Sequence, residues 1–486
     1  GMLTANGTTI TGNQSNRAGG GIETNGSSSV TLTDVALDGN MTGVVTGPGA
    51  PGNGGGLHVS GAAPVTITGG TVSGNTASKE GGGLWNNQGV MTITGTTIDG
   101  NDAQGDLVAD PLEIVGGGGI FAEDGAGSVV IGAGTIISNN FASGTQGSGG
   151  GILMATGTTL SIDGSAGAVM ITGNSASRAG GGLEDWSLDT NTNTLTNVVF
   201  MNNTAGLDAG AFTADGGPGN GGAIHVTGPG NNTITDGSAS GNLAANEGGG
   251  FWNGSGVMTI VNTVIDANTA SGSDAAVAGA AGGGGIFNEG GTVDISGTAS
   301  VTNNIADGAQ STGGGILNAA GTLTANGTTI TGNQSNRAGG GIETNGSGPV
   351  TLTDVNLDAN QTGVVTGTGA PGNGGGIHVS GHTAGTTPGR YSTGFRAANE
   401  GGALWNGSGV MTIVDTTIDA NTASGNDAMS PGAAGGGGIY NEGGTVDISG
   451  TASVTNNIAD GAQSTGGGIL NASGMLTANG TTLTGN

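Results

Sequence analysis

The chain has 486 residues, 114 of them Gly and none Cys, and its 6 Lys and Arg stand against 34 Asp and Glu for a formal charge of −28. Without a Gly-X-Y period it is not collagen, its 33% hydrophobic content is too high for a glycine linker, and the lack of Cys excludes disulfides and thiolate sites. The charge opposes nucleic acid and anionic lipid, no stretch approaches the ~18 apolar residues of a membrane span, and Gly1-Met2-Leu3 lacks a charged signal region, so this segment is expected neither to insert nor to export itself.

Gly1 to Asn16, GMLTANGTTITGNQSN, returns as GTLTANGTTITGNQSN from Gly321, and its opening returns again from Gly474 to Asn486. A middle copy shows Ile171-Thr-Gly-Asn174 and Arg178-Ala-Gly-Gly-Gly-Leu183. The reading is one continuous segment, 1–486, cut from a longer array, with super-repeats 1–160, 161–320 and 321–473 and the start of a fourth at 474–486. Within each, a run of three small residues, mostly Gly, precedes one apolar residue: Ile22, Leu57, Leu84, Ile120 and Ile152 in the first copy.

Between these runs lie alternating stretches such as Val30-Thr-Leu-Thr33, Val65-Thr-Ile-Thr68 and Met91-Thr-Ile-Thr94. An apolar-x-x-Asn signal follows, for example Val72 to Asn75. Period-two alternation with Gly and Asn punctuation predicts short strands joined by tight corners. Such a unit cannot bury its own apolar face, but stacked units can. The expected fold is therefore all-β, a right-handed parallel β-helix of about fifteen coils, which parallel spacing of about 4.8 Å would make a rod on the order of 70 Å long. The corner Asn residues are expected to form an internal ladder: Asn13, Asn40, Asn75, Asn101, Asn140, Asn174, Asn203, Asn242, Asn268, Asn304, Asn333, Asn360, Asn421, Asn457 and Asn486.

The pairing of a Gly-Gly-Ala-aliphatic motif with an aromatic-x-x-Asn motif resembles the polymorphic outer membrane protein family. Gly221-Gly-Ala-Ile224, Gly401-Gly-Ala-Leu404 and Phe200-Met-Asn-Asn203 carry it in strict form, and elsewhere Gly replaces Ala and an aliphatic residue replaces Phe. The resemblance implies a right-handed β-helix used as a secreted surface adhesin.

The residue after each Gly-run apolar position repeats with the super-repeat. It reads Glu23, His58, Trp85, Phe121, Leu153; then Glu184, His225, Trp252, Phe287, Leu317; then Glu343, His378, Trp405, Tyr440, Leu470. Strand alternation would turn it outward, giving an interaction stripe of His58, Trp85, Phe121, His225, Trp252, Phe287, His378, Trp405 and Tyr440. Such a stripe is either an exposed docking surface or hidden beneath the long links that recur between Asn corner and Gly run, such as Met41 to Asn53 and Thr204 to Asn220.

The equivalent His residues lie too many coils apart to share a metal. Asp99, Asp102, Asp106, Asp110 and Glu113 offer oxygen donors for Ca²⁺, but later copies keep only Asp266 and Asp274, or Asp419 and Asp427. No cofactor is otherwise expected. Lys79, Arg17, Arg178, Arg337, Arg390 and Arg396 are dispersed, so no lyase or hydrolase cleft is expected and the chain reads as a non-enzyme. Thr-x-Thr pairs such as Thr66/Thr68 would form an outward Thr face, as in ice-binding solenoids, interrupted at Val261, Asp294 and Val414. Residues 381–396, GHTAGTTPGRYSTGFR, break the pattern, as a functional insertion would, but the length is preserved and the register returns at Ala397, as after a local frameshift or assembly error.

These features point to the structural shaft of a bacterial surface protein, adhesin or extracellular fibre, outside the cell or on its surface. Self-association into a fibre or longer array and contact with glycan or cell surface are the expected partners. The alternative function is a glycan-binding or ice-binding β-helix.

Overall fold

The computed structural model describes residues 1–44, 52–105, 115–125, 127–186, 191–206, 219–272, 281–363, 372–381, 384–425 and 434–486, with backbone only for 384–391. The long links fall mostly outside this set. Every regular element among the described residues is a β-strand, the strands pair in parallel, and the chain divides into two units, Gly1–Ala245 and Asn246–Asn486.

One coil of the first unit shows the plan. After the Gly run comes a three-residue strand, Leu57–Val59, then Val65–Thr68, Thr71–Ser73 and the two-residue Thr76–Ala77. Each pairs with its counterpart in the next coil: Leu84–Asn86, Val90–Thr94, Thr97–Asp99 and Asp102–Ala103. The result is four ranks of parallel strands, a parallel β-helix. Burial in the second rank alternates, Val65 and Ile67 inward and Thr66 and Thr68 outward. Register then stacks like on like, with Leu32 against Ile67, Ile67 against Ile93 and Ile93 against Ile131. The fourth rank contributes an Ala column, Ala77, Ala103, Ala142, Ala176, Ala205 and Ala244, all fully buried. The first rank differs: between the end coils, from Leu57–Val59 to Ile439–Asn441, all three residues of each strand are buried, as in Leu84–Asn86.

The Gly run is explained at Gly81-Gly-Gly83. Gly81 sits at φ +63°, and a Cβ there would lie 2.9 Å from the Cβ of Trp85. A Cβ on Gly82 would meet the Gly118 carbonyl at 2.5 Å, and one on Gly83 the Gly119 carbonyl at 2.7 Å and the Asn101 amide carbon at 3.1 Å. Each position excludes a side chain for a different reason, so the run is set by close approach of successive coils and not by flexibility.

The second unit repeats the plan. Its irregular stretch forms a single ten-residue strand, Ala384–Thr393, in parallel register with Val410–Asp419 from Ala384 opposite Val410 to Thr393 opposite Asp419. From Ala384 onward this stretch thus keeps the strand register of a coil. At its corner Phe395, fully buried, stands where other coils carry the ladder Asn.

Candidate functional site

Three columns of interacting side chains run from coil to coil. The first is built by the corner Asn residues. In the first unit Asn13, Asn40, Asn75, Asn101, Asn140, Asn174, Asn203 and Asn242 follow one another. The Asn40 step is typical. Its backbone N–H and its Nδ2 both donate to Asn75 Oδ1, at 2.9 and 3.0 Å, and Nδ2 also donates to the carbonyl of Ile10 at 2.9 Å. Ile10 lies three residues before Asn13, so the apolar-x-x-Asn spacing places an inward aliphatic residue and, on its carbonyl, an acceptor for the next coil's amide.

In the second unit Asn268, Asn304, Asn333 and Asn360 form one run and Asn421, Asn457 and Asn486 another. Between them Phe395 can only donate its backbone N–H, to Asn421 Oδ1 at 3.0 Å. The ladder is broken there on the side-chain level.

A second amide column, absent from the sequence reading, lies at the last residue of the first-rank strands. Asn253 Nδ2 donates to Asn288 Oδ1 at 2.9 Å, and Asn288 Nδ2 to Asn318 Oδ1 at 2.7 Å. Asn406, Asn441 and Asn471 repeat this at 3.0 and 2.7 Å. Each Nδ2 also holds the carbonyl of a Gly three residues on, such as Gly409 for Asn406. Its sequence signal is Asn-x-x-Gly after the Gly-run apolar residue. A further buried group found only in the structure is Asp185, whose Oδ2 accepts from Asn193 Nδ2 at 3.0 Å and Asn232 Nδ2 at 2.8 Å.

The third column is the stripe of first-rank side chains, and of the two arrangements left open for it the structure has the buried one. Trp85, Trp252 and Trp405 are only 5, 6 and 7% exposed, and His58, His225, His378, Phe121, Phe287 and Tyr440 are buried as well. These side chains do leave the aliphatic column, but the residues leading into the Gly run lie against them. Glu80 Oε2 accepts from Trp85 Nε1 at 3.2 Å and from Asn53 Nδ2 at 3.0 Å, while Lys79 Nζ sits 3.0 Å from Glu80 Oε1. Glu247 and Glu400 hold Trp252 and Trp405 in the same way, at 3.0 and 3.2 Å.

Contacts along this column follow a fixed order. In the first unit Glu23 Oε2 meets His58 Nδ1 at 2.6 Å, the His58 ring stacks on Trp85 at 4.2 Å, and Trp85 stacks on Phe121 at 6.2 Å, with Leu153 next. Glu184, fully buried, then pairs with His225 at 2.9 Å. The second unit has Trp252 on Phe287 at 5.8 Å with Leu317 beyond. It continues with Glu343 and His378 at 2.7 Å, His378 on Trp405 at 4.1 Å and Trp405 on Tyr440 at 6.1 Å.

Electrostatics respond to this burial. Desolvation pushes the Glu23 carboxyl up, but its hydrogen bond to His58 and the His58 charge, with Ser60 and Arg17, bring it below the ordinary value. Burial beside Glu80 and Asp124 raises Glu123 to about 7, and burial near Glu400 and Glu442 raises the Tyr440 phenol to about 12.

The candidate Ca²⁺ donors separate. Asp99 Oδ1 accepts from Ser138 Oγ at 2.6 Å and Asn139 Nδ2 at 2.8 Å, and Asp266 and Asp419 do the same with the next coil's Thr and Asn. Asp102 accepts from Gln104, and Asp106, Asp110, Glu113, Asp274 and Asp427 lie outside the described residues. Among the described residues no three His, Asp or Glu converge on a metal position. Thr31, Thr66 and Thr92 align outward, and then Val130 takes the next place. The Arg178 guanidinium lies 4.6 Å above the Trp186 ring, and its Nη1 donates to Ser148 Oγ at 3.4 Å.

No curated protein and no solved structure matches the chain. Residues 197–227 span the strand Val198–Met201, the ladder residue Asn203 and the corner Gly221-Gly-Ala-Ile224, so they hold both halves of the strict motif. This stretch matches the Chlamydia polymorphic membrane protein repeat, the repeat of a bacterial family associated with the outer membrane and cell surface.

Proposed function

We propose that the chain forms the repetitive structural shaft of a bacterial surface protein, of adhesin or fibre type, whose role is to span distance and not to catalyse a reaction. The observation that carries this reading is that the residues setting one coil apart from the next, Glu, His, Trp and Phe or Tyr, are used in contacts between coils. A glycan-binding module would need the indole faces open to a sugar, and these faces are stacked on their neighbours. The acidic surface would keep shafts apart at low salt, so self-association into an array is expected to strengthen with ionic strength.

Tryptophan fluorescence and a glycan array test the reading together. A shaft gives blue-shifted emission, weak acrylamide quenching and no saturable glycan binding. Saturable binding that is lost in Trp85→Ala and Trp405→Ala would overturn it in favour of a glycan-binding helix.

A further inference from the structure

The buried column is the one that tells the coils apart. The Ile, Ala and corner Asn columns repeat nearly the same residue at every step, so they would accept almost any coil on any other. In the second unit, however, Leu317, Glu343, His378, Trp405, Tyr440 and Leu470 occupy successive first-rank strands in strict register. Their contacts are not interchangeable. Glu343 is fully buried: Ser380 Oγ donates to its Oε1 at 2.9 Å, and its Oε2 lies 2.7 Å from His378 Nδ1 in an ion-pair contact without hydrogen-bond geometry, so the next coil's imidazole is what offsets the buried charge. The other face of the His378 pair is an indole stack with Trp405 at 4.1 Å.

The second amide column keeps the same period. It starts at Asn406, opposite Val379, runs through Asn441 to Asn471, and its earlier copy ends at Asn318, opposite Thr344. The sequence shows matching joints: Trp252-Asn-Gly-Ser-Gly-Val-Met-Thr-Ile-Val261 is repeated without change from Trp405 to Val414.

We infer that the Glu-His-Trp-aromatic-Leu column is an ordering code that makes the whole super-repeat the unit in which this array gains or loses length. Removal of a whole period returns every column residue to a neighbour of the kind it already has. Removal of one coil leaves a buried group facing the wrong partner.

Two deletions in the full chain test this. Removing 254–406 joins Asn253 to Gly407 within the identical stretch and sets Trp252 against Tyr440, an aromatic like the Phe287 it replaces. Removing 377–403 joins Gly376 to Leu404. It takes out the irregular coil and brings Asn360 next to Asn421, which repairs the corner ladder, but it sets Glu343 against Trp405. The expected result is a thermal midpoint near the parent's for the first chain and one lower by several degrees for the second. Glu343→Leu should then raise the midpoint of the second chain while lowering that of the full chain, where it strips His378 of its partner. The inference is overturned if the 254–406 deletion fails to fold. It is equally overturned if the 377–403 deletion is as stable as the parent, or if Glu343→Leu shifts both chains in the same direction.

Discussion

Asn333→Ala isolates the corner ladder. The Asn333 side chain makes four bonds: Nδ2 donates to Asn360 Oδ1 and to the Val301 carbonyl, both at 2.9 Å, and Oδ1 accepts from the Asn304 backbone N–H at 2.9 Å and Asn304 Nδ2 at 3.0 Å. Truncation leaves the Asn304 N–H and the Val301 carbonyl without those partners in a fully buried position, whereas Asn360 Oδ1 keeps the Asn333 backbone donor at 2.9 Å. At about 1 to 3 kcal/mol for each of these two orphaned buried groups, the expected loss is roughly 2 to 6 kcal/mol. Denaturant unfolding measures the total, and amide hydrogen exchange locates it, because the Asn304 amide should lose protection before the neighbouring strands do. A loss below about 1 kcal/mol, or an Asn304 amide that stays protected, would refute the claim that the ladder stabilises this corner.

The residue before the ladder Asn is left-handed, at φ +63° in Gly39 and Gly100 but also at +51° in Ala359 and +54° in Ala420. An L-residue there costs roughly 1 to 2 kcal/mol, so Ala359→Gly and Ala420→Gly should each stabilise the second unit by about 1 kcal/mol in denaturant melts. In the second amide column Asn441 both donates and accepts, while Asn406 Oδ1 is buried without a partner. Asn441→Ala should therefore be more destabilising than Asn406→Ala by about 1 kcal/mol, and the reverse order would disprove the column. Glu123, raised from 4.5 to about 7, is protonated in both states at low pH and costs stability as it ionises, so stability should fall between pH 4.5 and 7. Glu123→Gln should flatten that slope and raise stability at pH 8, as pH-resolved melts will show.

The parts of this molecule legible in its sequence are those in which every coil repeats its neighbour. Val-Thr-Ile-Thr alternation and the recurring Gly run announce strands that must stack on copies of themselves, and the apolar-x-x-Asn spacing is visible for the same reason. Less legible was anything that joins unlike residues across a coil. Glu343 and His378 are read in order along the chain, yet nothing local says that they touch, because the contact spans a whole coil. The cover over Trp85 is equally remote from a strand pattern: it depends on Glu80 and Asn53, which precede Gly runs and look like linker. Phe395 shows the converse. No apolar-x-x-Asn survives in its segment, so the sequence suggests a disrupted coil. The backbone nevertheless keeps its register from Ala384 to Thr393, because strand pairing needs only main-chain groups.

This division between repeated and unrepeated columns bears on how a solenoid avoids misfolding. With coils of near-identical Ile, Ala and Asn content, a slip by one coil would restore the main-chain bonds and most side-chain contacts, so those columns alone favour the native stacking only weakly. The column of Glu, His, Trp, aromatic and Leu removes that degeneracy, since a one-coil slip sets buried carboxylates such as Glu184 and Glu343 against a partner other than imidazole. Buried charge in this array therefore acts through the cost it imposes on wrong registers. That role calls for one such pair per super-repeat, placed beside the Gly run where the coils approach most closely, and the Glu343 and His378 pair lies there.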